Sequence, residues 1–357
     1  MGMEVSLNPL CQRLRICFIG YMAGAKGGFT TSQGLVLARM IENQGWPVAT
    51  VSRFHNRWLR LGETLLVLIR DSGNISLAVL EVYGGRGFLL ADVVSAVAGM
   101  LRLPVVMVLH GGSIPEMIRD SPAWTRRVLS RARAIVAPTH YQARAVGLLS
   151  GLSATIIPNV LPLEDYPHTV RRSVRPRLFW MRNFHPIYNP IMAIRVLQRL
   201  RPLYPDAELV MAGRDDENCD RIRREAESAG LTTAISFPGF LDLNGKLQAA
   251  SNCDIFVNTN HIDNSPVAIV EACALGLPVV STAVGGVPDL LSHGETGLLI
   301  PDDDDAAMAE AIISLVESPA LASRLSSNGR QVAEECAATR VVPCWTGLFK
   351  GVLGQMG

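Results

Sequence analysis

The chain has 357 residues, enough for about two domains of ordinary size. Apolar residues make up 48% and charged residues 18%, which excludes a disordered chain, and no stretch of 18 apolar residues runs free of charge to suggest a transmembrane helix. Net charge is only +1, yet residues 1–160 hold 16 Lys and Arg against 8 Asp and Glu, while residues 161–357 hold 17 against 24. A basic half joined to an acidic half predicts two domains with different partners.

In chain order, short apolar strands are predicted at Ile16–Gly20, Val48–Ser52, Leu77–Val82, Val105–Leu109, Ala134–Ala137 and Ala154–Ile157. Helical periodicity fills the gaps, as at Thr31–Gln44 and Tyr141–Leu149. From Ile157 to Arg177 the chain holds Pro158, Pro162, Pro167 and Pro176, the composition of a linker. The scheme then repeats, with strands at Leu178–Met181, Glu208–Ala212, Ala234–Phe237, Asp254–Asn258, Val279–Ser281 and Leu298–Ile300. Helices are predicted between them, among them Ile191–Leu200, Arg221–Ala229 and Val267–Leu275. After Pro301 come Asp302 to Asp305, which suit a solvated helix N-terminus, and helical sequence to the end. Strands apolar throughout and alternating with helices mean parallel sheets covered on both faces. The expected fold is therefore α/β, with two doubly wound, Rossmann-like domains. Ligands of such sheets bind outside the carboxyl ends of the strands, and two such domains can face each other across a cleft.

Most of the chemistry lies between Ile262 and Ala272. Ser265 suits a helix N-cap, Pro266 the first helical position and Gly276 the residue past the end. The first amides of that helix lack partners and carry partial positive charge, which makes an anion site. Asp263 precedes the helix and can reach a polar ligand. Glu271 lies a turn inside, among Val267, Ile269, Val270 and Ala272, and a buried carboxylate there needs a partner. A diol would supply two hydroxyl donors; solvent or an arginine is the alternative.

Asp263, then Glu271 and Ala-Cys-Ala-Leu-Gly-Leu-Pro-Val-Val-Ser-Thr, then Gly285-Gly286-Val287-Pro288-Asp289 and Thr296-Gly297-Leu298-Leu299-Ile300-Pro301, together resemble the family-4 glycosyltransferases. These are retaining enzymes of GT-B fold. The resemblance implies that Glu271 holds the ribose hydroxyls of a nucleotide sugar. Asp263, where the family usually has Glu, would hold hydroxyls of the donor sugar. The stretch Asn264, Ser265, Pro266 and Val267 would cradle the diphosphate, and the backbone near Gly239 and Phe240 would meet the nucleobase. Arg182 matches the family's diphosphate arginine, but the family's lysine falls at Tyr188 or Asn189 and is missing, with Asn189 left on the donor side. Lys26 or His185 would replace it as a phosphate contact. Gly27 and Gly28 resemble the Gly-Gly loop that approaches the diphosphate. His110-Gly111-Gly112 resembles the histidine near the donor sugar, and Tyr83-Gly84-Gly85 would line the acceptor side. The domains expected are an acceptor-binding domain over 1–165, a nucleotide-sugar domain over 166–335, and a C-terminal helix over 336–357 crossing back to the first.

The implied function is metal-independent, retaining transfer of a sugar from a nucleoside-diphosphate sugar, UDP- or GDP-linked, to an acceptor hydroxyl, in glycan, polysaccharide or glycolipid synthesis. Alternatives are a sugar-nucleotide binder without catalysis and a GT-B nucleotide-sugar epimerase. An NAD enzyme is disfavoured, since Gly24, Gly27 and Gly28 lack the GxGxxG spacing. The acceptor would be a glycan, a lipid-linked sugar or a small molecule. Thr125–Arg133 carries four arginines in eight residues beside apolar ones and could rest on an anionic membrane. Nucleic acid is not expected, with 6% aromatic residues and no recognition motif. Seven cysteines without a CxxC pair point to no metal site and no disulfide framework, and with no signal-peptide pattern to a cytoplasmic protein, peripheral at the inner membrane face.

Overall fold

The structure is a computed structural model that describes residues 15–22, 32–52, 54, 56–214 and 217–355. The chain divides into two units, residues 1–160 with 338–357, and residues 161–337. In the first unit the elements are β1 (Ile16–Ile19), α1 (Gln33–Asn43), β2 (Val48–Val51), α2 (Arg57–Asp71), β3 (Leu77–Tyr83), α3 (Phe88–Met100), β4 (Val105–His110), α4 (Ile114–Asp120), α5 (Pro122–Leu129), β5 (Ala134–Ala137), α6 (His140–Gly147) and β6 (Thr155–Ile156). The second holds β7 (Arg177–Met181), α7 (Pro190–Leu200), β8 (Glu208–Ala212), α8 (Glu217–Ser228), β9 (Ile235–Gly239), α9 (Leu243–Asn252), β10 (Ile255–Asn258), α10 (Val267–Ala274), β11 (Val279–Thr282), α11 (Val287–Leu290), β12 (Leu298–Ile300), α12 (Asp305–Glu317) and α13 (Pro319–Glu335). The last helix, α14 (Ala338–Gly354), belongs to the first unit.

Each unit is a six-stranded parallel sheet, ordered β2-β1-β3-β4-β5-β6 and β12-β11-β10-β7-β8-β9. These are two doubly wound, Rossmann-like sheets. Strand residues alternate between two covered faces. In β1, Ile16 and Phe18 pack toward α1 and α14, while Cys17 and Ile19 join the core under α2 and α3. In β7, Leu178 and Trp180 face the core with α7, and Phe179 faces the core with α10. Strand order reverses between β1 and β3 in the first sheet and between β7 and β10 in the second. At such a reversal the crossover helices leave to opposite faces, so a crevice opens at the strands' carboxyl ends.

The linker from Leu161 joins the second unit for a local reason. The Leu161 amide donates to the Cys336 carbonyl at 2.7 Å, and Tyr166 is buried against α10. From Ala338 onward the apolar face of α14 turns to the first unit, where Phe349 meets Phe18 and Trp46 edge-on at centroid distances of 6.5 and 6.1 Å. Phe349→Ala should therefore cost the first unit about 3–5 kcal/mol, read as a lower urea midpoint.

Candidate functional site

In the second unit, Arg182 follows β7 and Asp263 lies in the loop after β10, the two strands at the reversal. The Arg182 amide donates to the Ala212 carbonyl at 3.0 Å, which anchors the turn to β8. Its guanidinium donates to Asp263 Oδ2 and lies over the Tyr188 ring, 5.3 Å from the centroid. The Arg182 Nε is buried without a partner among the described residues. Asp263 also accepts from Asn260 Nδ2 and, at 2.8 Å, from the Asn264 amide. The loop is held from β11 as well, by the Gly286 amide donating to the Asp263 carbonyl at 2.9 Å. A Cβ on Gly285 would lie 1.9 Å from that carbonyl oxygen, and its φ of +56° also favours glycine.

Helix α10 begins one residue later than the sequence suggests. Pro266, not Ser265, is the cap: its ψ is 104°, and its carbonyl accepts from the Ile269 and Val270 amides at 3.0 and 3.4 Å. A proline's fixed φ fits the cap and the first turn equally, so its ring alone could not choose. Among the described residues no side chain caps this end, which leaves the Val267 and Ala268 amides without a capping acceptor. Glu271 follows Val267 by four residues, on the same face and about 6 Å along the axis. It is 6% exposed, and Tyr166 Oη and Lys246 Nζ both donate to its Oε1 at 2.7 Å. Among the described residues no donor reaches Oε2. Burial and the adjacent Glu271 charge push the Tyr166 phenol far up, so it stays a neutral donor. Neither partner is marked in the sequence: Tyr166 lies in the proline-rich linker with no signal, and Lys246, unlike Lys26, stands in no motif.

Other expected donor residues serve the local fold. Asn189, at φ 46°, caps α7 by accepting from the Met192 amide at 3.4 Å and donates to Asp303 Oδ1 at 2.8 Å. His185 is exposed, and its Nδ1 accepts from the Ile187 amide at 3.2 Å. Gly239 ends β9 at φ +77°, accepting from the Gly213 amide at 3.0 Å, and Phe240 beside it is half-buried. The aspartate run is divided among local tasks: Asp304 caps α12, while Asp302, Asp303 and Asp305 pair with His261, Arg195 and Arg199.

In the first unit, Lys26, Gly27 and Gly28 lie outside the described residues. His110 ends β4 and stacks on Tyr83, with ring centroids 5.4 Å apart. Below them is a residue that sequence reasoning passed over, Glu81, 3% exposed in β3. Its Oε1 accepts from the Gly34 amide in the first turn of α1 at 2.9 Å, and its Oε2 from the Tyr21 amide at 3.1 Å and Tyr83 Oη at 3.2 Å. Cβ atoms on Gly20 or Gly34 would come within 2.0 and 2.2 Å of this carboxylate, so both glycines make room for it. A lone acid in the apolar run Leu-Ala-Val-Leu-Glu-Val-Tyr was the signal. His110 Nε2 stands 3.6 Å from Glu81 Oε1. A cavity of about 890 Å³ opens at this reversal, lined by Gly20, Glu81 and Tyr83 and by residues of α2 and α3. The basic run expected to face a membrane is partly spent: Arg127 and Arg131 pair with Asp92 at 2.8 and 2.6 Å, and Arg126 donates to the Ser150 carbonyl.

Two doubly wound parallel sheets, each with polar groups gathered at its reversal, are the two parts of which a GT-B fold is built. Residues 169–332 match the family model for glycosyl transferases group 1. Over 77% of its length the chain is 28% identical to a phosphatidyl-myo-inositol mannosyltransferase of Mycobacterium leprae, spanning 70% of that protein. To the enzyme of the same name from Mycolicibacterium smegmatis it is 24% identical over 74% of its length, spanning 65% of the relative. Of solved structures, Anabaena HepE in complex with UDP and glucose superposes with a TM-score of 0.75 at 17% identity, covering 95% of this chain and all of that one. The second unit is thus similar in sequence to the group 1 glycosyltransferases, and the chain as a whole to the GT-B fold.

Burial holds the His110 imidazole below its usual pKa against the opposing pull of Glu81. The unfolded chain therefore binds this proton more readily. Stability from His110 is full above about pH 6.5 and is lost as pH falls toward the depressed value. Urea midpoints should drop between about pH 7.5 and 5.5, and His110→Gln should flatten that slope.

Proposed function

We propose that the chain is a family-4 enzyme that moves a sugar from a nucleoside-diphosphate sugar to an acceptor hydroxyl, with retention and without a metal. One observation carries the reading: Arg182, Asp263 and Glu271 meet at the β7–β10 reversal beside an uncapped helix N-terminus. The diphosphate takes the Val267 and Ala268 amides, with Arg182 turning from Asp263 to the phosphate. Glu271 Oε2 accepts the ribose hydroxyls while Tyr166 and Lys246 hold Oε1, so Glu271 positions and does not attack. Asp263 takes a donor-sugar hydroxyl. The acceptor hydroxyl attacks from the face that the diphosphate leaves, and a leaving phosphate oxygen takes its proton. Charge growing on the leaving group is met by Arg182 and the helix amides. Lys26 or His185 supplies the second cation. His110, kept neutral, offers a hydrogen bond to a sugar hydroxyl.

The names of the relatives support glycosyl transfer, and the UDP in the HepE complex supports a nucleoside-diphosphate donor. A binding-only reading draws on two features: Tyr188, which lies under Arg182, and Asn189 stand where the resemblance implies a lysine, and Asp263 stands where it implies Glu. Titration calorimetry with UDP, GDP and ADP in the presence of EDTA tests the proposal. One diphosphate should bind, and Glu271→Ala and Glu271→Gln should weaken it about tenfold or more, as for lost charged hydrogen bonds. With that donor, the product anomer seen by NMR should match the donor anomer. Binding without turnover favours the binding-only reading, and no binding to the wild type overturns both.

A further inference from the structure

The buried carboxylate of Glu81 has no part in the transfer chemistry above, yet it faces a histidine that does. Strands β3 and β4 pair with Tyr83 opposite His110, and Glu81, two residues earlier, projects to the same face of the sheet as Tyr83. The Glu81 side chain is 1% exposed. Its three hydrogen bonds come from neutral donors, the Gly34 and Tyr21 amides and Tyr83 Oη. Among the described residues no lysine or arginine pairs with it. The one basic group at hand is His110, whose Nε2 stands 3.6 Å from Glu81 Oε1. That separation exceeds a hydrogen bond, so the carboxylate acts on the ring through its charge.

The two ring nitrogens of His110 differ. Nε2 is buried and unbonded, and the carboxylate is the charge it faces. A carboxylate only accepts, so a bare lone pair turned toward it is repelled and an N–H is attracted. Nδ1 is not among the buried atoms and makes no bond among the described residues. Tyr83 keeps the ring in this pose: its plane lies 25° from the imidazole plane, and its hydroxyl is held by the same carboxylate. Glu81 therefore grips His110 twice, by charge and through the stacked phenol.

We propose that Glu81 is a positioning residue: it holds the hydrogen of neutral His110 on Nε2, so that Nδ1 accepts a hydrogen bond from a substrate hydroxyl. The bond between His110 and a sugar hydroxyl then runs from the hydroxyl to the ring. That the hydroxyl belongs to a sugar rests on the transfer reading above; the tautomer does not.

The surroundings of His110 keep the pH dependence simple. The Tyr83 phenol is pushed far up by burial and by Glu81 and stays neutral, and Arg60 of α2 bears on Tyr83 but not on His110. A cavity of about 20 Å³ beside the pair is lined by Gln33 of α1, Pro138 after β5, Asn159 of the linker and Trp345 of α14, none of them charged. From α6 comes Gln142, whose Nε2 donates to the Gly111 carbonyl at 2.7 Å. Glu81 is the charge that acts on the imidazole, and it pulls the pKa up against burial. Protonation places a hydrogen on Nδ1 and ends its acceptor role, so turnover should fall as pH drops through the His110 pKa. Removing the Glu81 charge lowers that pKa further and should move the acid limb to lower pH.

Long-range proton–nitrogen correlation NMR of the full-length protein, labelled at histidine, reads the tautomer directly. Spectra at pH 7.5 should show His110, assigned by the signals missing in His110→Gln, protonated on Nε2. Glu81→Gln should lower the ratio of Nε2–H to Nδ1–H about tenfold. A predominant Nδ1–H form in the wild type overturns the proposal without any variant, and so does a ratio unchanged in a folded Glu81→Gln. In turnover assays Glu81→Gln should lower kcat about tenfold, shift the acid limb to lower pH and leave the calorimetric affinity for the nucleoside diphosphate as in the wild type. A lower kcat with an unmoved limb marks a merely structural carboxylate and overturns the positioning role. Nucleotide binding separates the two readings. A wild type with His110 protonated on Nε2 that binds no nucleoside diphosphate overturns the transfer reading and upholds the hold of Glu81 on the ring. A wild type that binds nucleotide with His110 protonated on Nδ1 does the reverse.

Discussion

What occupies the positive end of the helix at each sheet's reversal sets the division of labour in this molecule. Parallel βα units place helix N-termini and strand carboxyl ends on the same side, so each unit has such an end to satisfy. In the first unit the chain supplies its own anion. Glu81 reaches from β3 to the Gly34 amide of α1, and Gly20 and Gly34 are small enough to admit it. In the second unit α10 starts at a proline with no side-chain cap, and its first amides stay open. The helix terminus is thus met internally in one unit and, in the proposed mechanism, by the donor's diphosphate in the other.

Around that open end the acids are held by shared partners. Glu271 is buried, and alone its charge would be costly; Tyr166 from the linker and Lys246 from α9 share one of its oxygens. The same two bonds tie the linker and α9 to α10, so the group that meets the ribose in the proposed mechanism also locks three segments of the unit. Asp263 is fixed twice, through its side chain by Arg182, Asn260 and Asn264 and through its carbonyl by Gly286. The excess acid of residues 161–357 is partly accounted for in this way, as Asp254 also accepts both bonds of an Arg177 fork at 2.9 Å.

The fold class was legible because both signals behind it are local. Runs such as Val-Val-Met-Val-Leu are apolar at every position and can only be strands covered on both faces, and the helices between them have plain periodicity. Site residues that sit in strings, Asp263 to Glu271 and Gly285-Gly286, can be picked out from the sequence because their spacing is local. Residues that act through distant contacts cannot. Tyr166 meets Glu271 across 105 positions, and Arg131 meets Asp92 across 39, which turned an apparent basic surface into a paired one.

By itself the sequence determined that parallel sheets alternate with helices, and that a helix preceded by Asp263 and carrying Glu271 opens with free amides. Both follow from side-chain periodicity and backbone geometry within a few residues. Only the tertiary structure decided which charges are spent and which stay available. It gave Glu81 to α1, Lys246 to Glu271 and Asp92 to two arginines, and left Arg57, Arg60 and Arg86 without a carboxylate among the described residues. The reason is physical: a charge is satisfied by whatever lies within a few ångströms, and strand order, not sequence distance, determines what that is.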